Sequence, residues 1–275
     1  MFRPIDEVAP PPPSVAGRSP SPPASPAGRN WENYVIPQRW EHFTAEDHRV
    51  WDILFERQVA ALGTRIVRPF RDGLDLLNLG HPGVPDLAEL NARLEPRTGW
   101  RTVAVPGLVP DAIFFAMLSD RIFPIGNFIR TFEQLDYLDE PDLFHDIFGH
   151  VPMLADPAMA NLMEHVGRIG TAAIARGQGE TVARIYWHSV EFGLAREEGE
   201  AKIFGAGLAS SFGEFAIALD GSGVERRRFS VEAAAAQSYE NDQMQPLYFV
   251  SDAPEAVARE ICALDEARLA ALAGG

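Results

Sequence analysis

Two histidines and one glutamate in this 275-residue chain could hold a single metal ion. His145 and His150 sit in Phe144-His145-Asp146-Ile147-Phe148-Gly149-His150-Val151-Pro152. Glu191 sits in Ile185-Tyr186-Trp187-His188-Ser189-Val190-Glu191-Phe192-Gly193. Two neutral imidazoles and one carboxylate leave a divalent metal with net positive charge and open coordination positions, the facial arrangement that suits a non-haem Fe(II) centre.

The spacing makes a demand on the backbone. On a regular helix five residues advance the side chain by roughly 500°, which leaves the two imidazoles about 140° apart. Convergence therefore requires the helix to end or loosen at His150. Gly149 relaxes the backbone there, and Pro152 disfavours helical geometry at Val151. Glu191 must arrive from a second helix, with Tyr186, Trp187 and Phe192 as a dry surround. Other readings stay open on the residues alone. The histidine pair could be structural, or bind zinc in a non-enzymatic helical protein. His188 and Glu191 share one helix face at i, i+3, a spacing that also serves di-metal carboxylate sites.

The elements that must position these groups follow from patterning. Thr44 and Asp47 form a capping box that opens a helix with an apolar stripe of Val50, Trp51, Leu54, Phe55 and Val59. Residues 87–94 read as a short helix ended before Pro96 and Gly99. Residues 100–105 alternate as a strand, and 121–129 are mixed, with Pro124 and Gly126 limiting any strand. Helices are expected over 112–119, 142–150, 159–176, 181–198, 210–219 and 254–272, with 200–207 broken by glycine. The fold class is mainly α with a few short strands.

Residues 31–275 are expected to form one catalytic domain, of ordinary domain size and well supplied with apolar surface by 46% hydrophobic residues. Residues 1–30 carry Pro10-Pro11-Pro12-Pro13 and Ser19-Pro20-Ser21-Pro22-Pro23 and read as a disordered leader, or as a polyproline ligand for a partner domain. A formal charge of −15 argues against nucleic acid or an anionic membrane as partner, since both need clustered Lys and Arg. The lone Cys262 leaves no intrachain disulfide, which fits a reducing, cytoplasmic compartment. No apolar run approaches the ~18 residues of a membrane span. Walker and Rossmann glycine patterns are missing, so nucleotide binding has no support.

Five blocks carry a resemblance. They are Glu140-Pro141-Asp142, residues 144–152, residues 185–194, Gly205-Ala206-Gly207-Leu208-Ala209-Ser210-Ser211-Phe212-Gly213-Glu214, and Gln245-Pro246-Leu247-Tyr248. In this order they resemble the pterin-dependent aromatic amino acid hydroxylases, over roughly residues 100 to 250. The short length, and Asp146 where animal members carry Glu, point to the bacterial phenylalanine 4-hydroxylase branch.

The resemblance implies a hydroxylase-type catalytic domain that uses Fe(2+), tetrahydrobiopterin or a related tetrahydropterin, and O2 to turn L-phenylalanine into L-tyrosine. Tryptophan or tyrosine hydroxylation on the same scaffold is the alternative. By similarity His145, His150 and Glu191 are the iron ligands, and Tyr186 lies near both iron and cofactor. Arg130 matches the arginine that grips the substrate carboxylate, Trp187 an aromatic of the amino acid pocket, and Ser210 a serine near substrate and a ligand histidine. Phe114 matches the phenylalanine stacked on the pterin, Gly107, Val109 and Asp111 the adjoining loop, and Asp146 the acid beside the pterin. Leu138-Asp139 departs from the family's Thr-Pro, removing a hydroxyl that helps hold the substrate amino acid. The chain resembles neither the regulatory domain nor the tetramerisation helix of animal members, and a monomer is expected.

Overall fold

The computed structural model describes residues 30–136, 138, 140–240 and 243–274. The proline-rich leader lies almost wholly outside the described residues, as does Asp139. The described chain runs through α1 (Ala45–Leu62), α2 (Arg68–Leu76), α3 (Leu87–Thr98), β1 (Arg101–Val105), α4 (Asp111–Ser119) and β2 (Ile122–Gly126). A π-helix (His145–His150) then leads into α5 (Val151–Leu154), α6 (Pro157–Ile174) and α7 (Gly179–Tyr186). A second π-helix (Trp187–Glu191) precedes β3 (Leu194–Glu197), β4 (Glu200–Ile203), α8 (Ala206–Ser210) and α9 (Glu214–Asp220). The chain ends with β5 (Glu225–Arg228), α10 (Val231–Ala236), β6 (Leu247–Ser251), α11 (Pro254–Cys262) and α12 (Glu266–Ala273).

The Thr44–Asp47 capping box opens α1 as its sequence requires, each side chain bonding the other residue's backbone N–H. The buried face of α1 is Val50, Trp51, Leu54, Gln58 and Leu62, whereas Val59 is turned out to solvent. The polar Gln58 takes the inner position because its amide has backbone work to do, donating to the Ala209 carbonyl at 2.6 Å. α3 does not stop at residue 94. It runs past Pro96 because Thr98 is buried and donates to the Leu154 carbonyl, and Gly99, at φ 76°, closes the helix in the left-handed region.

Strands account for most of the remaining differences. β1 and β2 form a parallel pair, and Pro124 sits within β2 because that strand pairs on one side only. The helix expected over 181–198 ends at Glu191. A Cβ at Gly193 would overlap the Ser189 carbonyl, so the chain turns there into β3, and Glu198 and Gly199, both at positive φ, reverse it into β4. The second sheet has the order β4-β3-β6-β5, with β6 fully buried and parallel to both neighbours. The expected terminal helix over 254–272 is two helices, broken where Leu264 is buried and Asp265 caps α12. One large hydrophobic cluster joins these layers, with stacked Phe144 and Phe148 beneath the first π-helix.

Candidate metal centre and substrate cavity

His145 and His150 converge because their segment is a π-helix. Its i→i+5 hydrogen bonds bring residues five apart onto one face, which a regular α-helix would not do. Of the two expected routes, the chain takes loosening: it does not end at His150 but widens into π-helical winding over His145–His150 and continues into α5, where Pro152 occupies the first turn and its missing N–H leaves no helical bond unmade. Gly149 serves packing: a Cβ there would lie 2.9 Å from the Ala206 carbonyl oxygen on α8. The same device repeats at Glu191, where α7 widens into the second π-helix.

The result is a compact donor set. One ligand atom from each of His145, His150 and Glu191 lies within 4.8 Å of the others. His150 Nε2 is 3.0 Å from Glu191 Oε1 and 3.3 Å from His145 Nε2, and His145 Nε2 is 3.8 Å from Glu191 Oε2. Ser210 fixes the tautomer of His145. Its hydroxyl donates to the Ala206 carbonyl at 2.9 Å, so it must accept from His145 Nδ1 at 2.8 Å, which leaves the Nε2 lone pair for a metal.

Protonation suits ligation. Burial pushes the His145 pKa down to about 4, keeping the ring neutral. Burial opposes the charge on Glu191, but the facing His150 outweighs it and holds the carboxyl at about 2. For His150, burial acts downward and the Glu191 charge more than offsets it. His150 and Glu191 therefore attract each other across 3.0 Å, in the place a divalent cation would take. The donor set thus fits an iron ion. Burial, then the Glu191 charge, raises the Tyr186 phenol well above its usual value, so it stays protonated and donates to Glu191.

The triad faces a cavity of about 570 Å³. Gly107, Val109, Asp111, Phe114, Arg130, Asp146, Tyr186, Trp187 and Ser210 all line it, so the structure brings together every site residue expected from the sequence. Phe114 meets Tyr186 edge to face at 5.6 Å. Asp146 accepts from the Gly126 N–H at 2.7 Å, and burial lifts its pKa to about 7. Trp187 stacks on Tyr239 at 4.3 Å and donates to Gln245 at 3.2 Å. His188 instead turns toward the Gln237 carbonyl and packs on Phe249, and among the described residues no second metal cluster includes it.

Arg130 is placed differently from a free fork. Its Nε and Nη2 both bond the fully buried Asp142, each at 2.9 Å, leaving Nη1 as its uncommitted nitrogen. Asp142 also accepts from the Arg130 and His145 N–H groups, tying the arginine to the first π-helix. The sequence offered Asp142 only as a member of a block, with no sign that it orients Arg130. Tyr239, Glu214 and Gln245 were likewise unassigned, and Tyr239 lies in no block at all.

A two-histidine, one-carboxylate centre beneath an aromatic-lined cavity, in a mainly helical domain, defines a mononuclear non-haem metal enzyme of the oxygenase class. The family model described as biopterin-dependent aromatic amino acid hydroxylase matches residues 33–265. A phenylalanine-4-hydroxylase of Caulobacter vibrioides is 46% identical over 80% of this chain and 75% of its own length. A single-residue variant of the Chromobacterium violaceum phenylalanine hydroxylase superposes with a TM-score of 0.85 at 40% identity, over 88% of each chain. The iron- and phenylalanine-bound form of the Chromobacterium violaceum protein gives 0.80 at 38% identity, over 86% of this chain and 85% of that one. The chain belongs to the biopterin-dependent aromatic amino acid hydroxylases.

Proposed function

We propose that this enzyme converts L-phenylalanine to L-tyrosine with O2, a tetrahydropterin and Fe(2+). The observation that carries the reading is the triad, its three donors converging at the base of a cavity large enough for an amino acid and a bicyclic cofactor. Iron and tetrahydropterin, when bound, supply the reducing electrons and the metal site at which O2 is split, one oxygen entering the para position of the ring and the other leaving on the pterin. The chain supplies binding, orientation and a dry surround.

His145, His150 and Glu191 hold the metal, and three protein ligands leave positions for O2. Phe114 offers an aromatic face to the pterin, beside the loop of Gly107, Val109 and Asp111. Asp146 reaches the pterin edge with one carbon less than a glutamate, which suits a water-bridged contact. Arg130 turns Nη1 to the substrate carboxylate while Asp142 holds its other edge. Trp187, stiffened by Tyr239 and Gln245, walls the aromatic ring. The monomeric state and the cytoplasmic location remain part of this proposal, the latter supported by the lone Cys262; no described helix is long and apolar enough to cross a membrane.

The test is tyrosine formation from phenylalanine by purified protein given Fe(II), O2 and tetrahydrobiopterin, with pterin-free and iron-free controls. Tyrosine that requires both additions is expected. Pterin oxidation without tyrosine would move the substrate to tryptophan or tyrosine, and failure to bind iron would overturn the metal centre.

A further inference from the structure

An amino acid enters the cavity as a zwitterion, so a site that selects it needs an anion as well as Arg130. Six carboxylates line the cavity: Asp111, Asp136, Glu140, Asp146, Glu191 and Glu214. Five are engaged or lie at the rim. Glu191 belongs to the triad, Asp146 bonds the Gly126 N–H, Asp136 pairs with Arg57, Glu140 accepts from the Leu108 N–H, and Asp111 lies in the loop assigned to the pterin.

Glu214 is different. It is 9% exposed and forms no ion pair among the described residues. Its Oε1 accepts from the Gln245 N–H and the Tyr248 hydroxyl, each at 2.9 Å, and both donors are neutral. Those two bonds fix the plane of the carboxylate. Among the described residues no donor reaches Oε2, and Glu214 lines the cavity. A buried carboxylate without a counter-ion is costly, and burial pushes its pKa up. Such a group in a cleft points to a ligand that completes it. The Gln245 side-chain oxygen also accepts from Trp187, so one residue sets both the carboxylate, through its backbone N–H, and the wall for the aromatic ring, through its side chain. The backbone N–H of Glu214 donates to the Ser211 hydroxyl at 3.3 Å, and Ser211 follows Ser210, which contacts His145.

We infer that Glu214 binds the α-ammonium group of the substrate, opposite in charge to Arg130, and so sets the preference of the site for an amino acid over an aromatic acid that lacks the amine. This rests on the reading of the enzyme as a phenylalanine hydroxylase. It assigns the amine a partner that does not depend on the hydroxyl lost at Leu138-Asp139.

The test crosses a residue change with a substrate change. KM and kcat are measured for L-phenylalanine and for 3-phenylpropanoate, which keeps the ring and carboxylate but has no amine, in wild type and in Glu214→Gln. Binding of both ligands to the metal-loaded protein is followed by calorimetry on the same samples. The variant is expected to weaken phenylalanine binding about 10- to 100-fold, the worth of a charge-assisted hydrogen bond, and to bind 3-phenylpropanoate more tightly because a repelling charge is gone. Equal losses for both ligands, or no loss for phenylalanine, would overturn the assignment. If Glu214→Gln fails to fold, Glu214→Asp is judged by the same ratio. Wild-type protein that makes no tyrosine would instead strike at the proposed reaction, independently of the ratio of affinities.

Discussion

Three side chains can present their lone pairs to one metal here because a fourth dictates which nitrogen of His145 is available. His145 could present either ring nitrogen, and the Ser210 hydroxyl, committed as a donor to the Ala206 carbonyl, accepts only from Nδ1–H. Ser210→Ala removes that acceptor and leaves the ring free to adopt the wrong tautomer. Iron or cobalt affinity is expected to fall about 10- to 100-fold, the usual effect of losing a group that orients a ligand histidine, with little change in thermal stability. Metal titration at constant pH measures it, and unchanged affinity would remove Ser210 from this role. The three donors that converge, and a serine beside one of the histidines, were legible in the sequence through the resemblance of the blocks. Which ring nitrogen Ser210 engages was not, since it meets His145 across 65 positions and no local pattern announces the geometry of such a contact.

At the scale of elements, the histidine spacing contained its own explanation in disguise. Five residues are wrong for an α-helix and right for a π-helix, so the spacing was informative, but Gly149 and Pro152 left a helix end as open as a loosened one. The cause of the ambiguity is physical: glycine and proline mark close packing and a helix start here, as they do elsewhere mark breaks. Helices with strong periodicity and caps, such as α1 and α6, were legible. β5, β6 and the β3–β4 hairpin were not, because their stability comes from partners far along the chain. Gly205 shows how tightly these elements meet, for a Cβ there would overlap the Glu191 carbonyl. Gly205→Ala is expected to cost about 1–3 kcal/mol by overpacking and to displace Glu191, so that melting temperature and metal affinity fall together. A loss of stability with metal affinity intact would show that α8 yields and the π-helix does not.

The β3–β4 hairpin carries a second prediction at this scale. Lys202 is 3% exposed and clamps Glu197 at 2.9 Å and Glu198 at 3.0 Å, closing the turn that leads from Glu191 back toward Ser210. Burial opposes the Glu197 charge, but Lys202 outweighs it and draws the carboxyl below its ordinary 4.5, while the Glu197 bond lifts Lys202 above 10.5. A depressed acid contributes stability above its ordinary pKa and loses it as pH falls through the depressed value. A raised base contributes below its ordinary pKa and loses it as pH rises through the raised one. The clamp is therefore complete between roughly pH 5 and 10. Lys202→Met is expected to lower stability by about 1–3 kcal/mol at pH 7, and by progressively less as pH falls below the ordinary 4.5 of Glu197 toward its depressed value. Denaturant melts over this pH range check this, and an equal penalty throughout would assign the loss to packing alone.

The whole molecule is organised around a joint where two segments distant in sequence meet. His145 and His150 belong to one π-helix, Glu191 to another, and α8 packs against both. His150 and Glu191 face each other at 3.0 Å, while His145 Nε2 has only those two groups for company. A divalent cation satisfies all three at once and competes with any proton they hold. Because the unfolded chain has no such cluster, binding must stabilise the fold, by about 4 kcal/mol when free metal stands a thousandfold above its dissociation constant. For a domain of this size that corresponds to a rise in melting temperature of roughly 8–16 °C. Chelation should lower the transition by that amount and Fe(II) or Co(II) should restore it, and because the His150 pKa is raised above its ordinary 6.5, metal affinity should weaken as pH falls and the ring takes up a proton. His150→Ala should melt at the same temperature with and without metal. A metal-dependent shift that survived in His150→Ala would place the ion elsewhere, and a wild-type affinity that did not weaken on acidification would remove His150 from the ligand set.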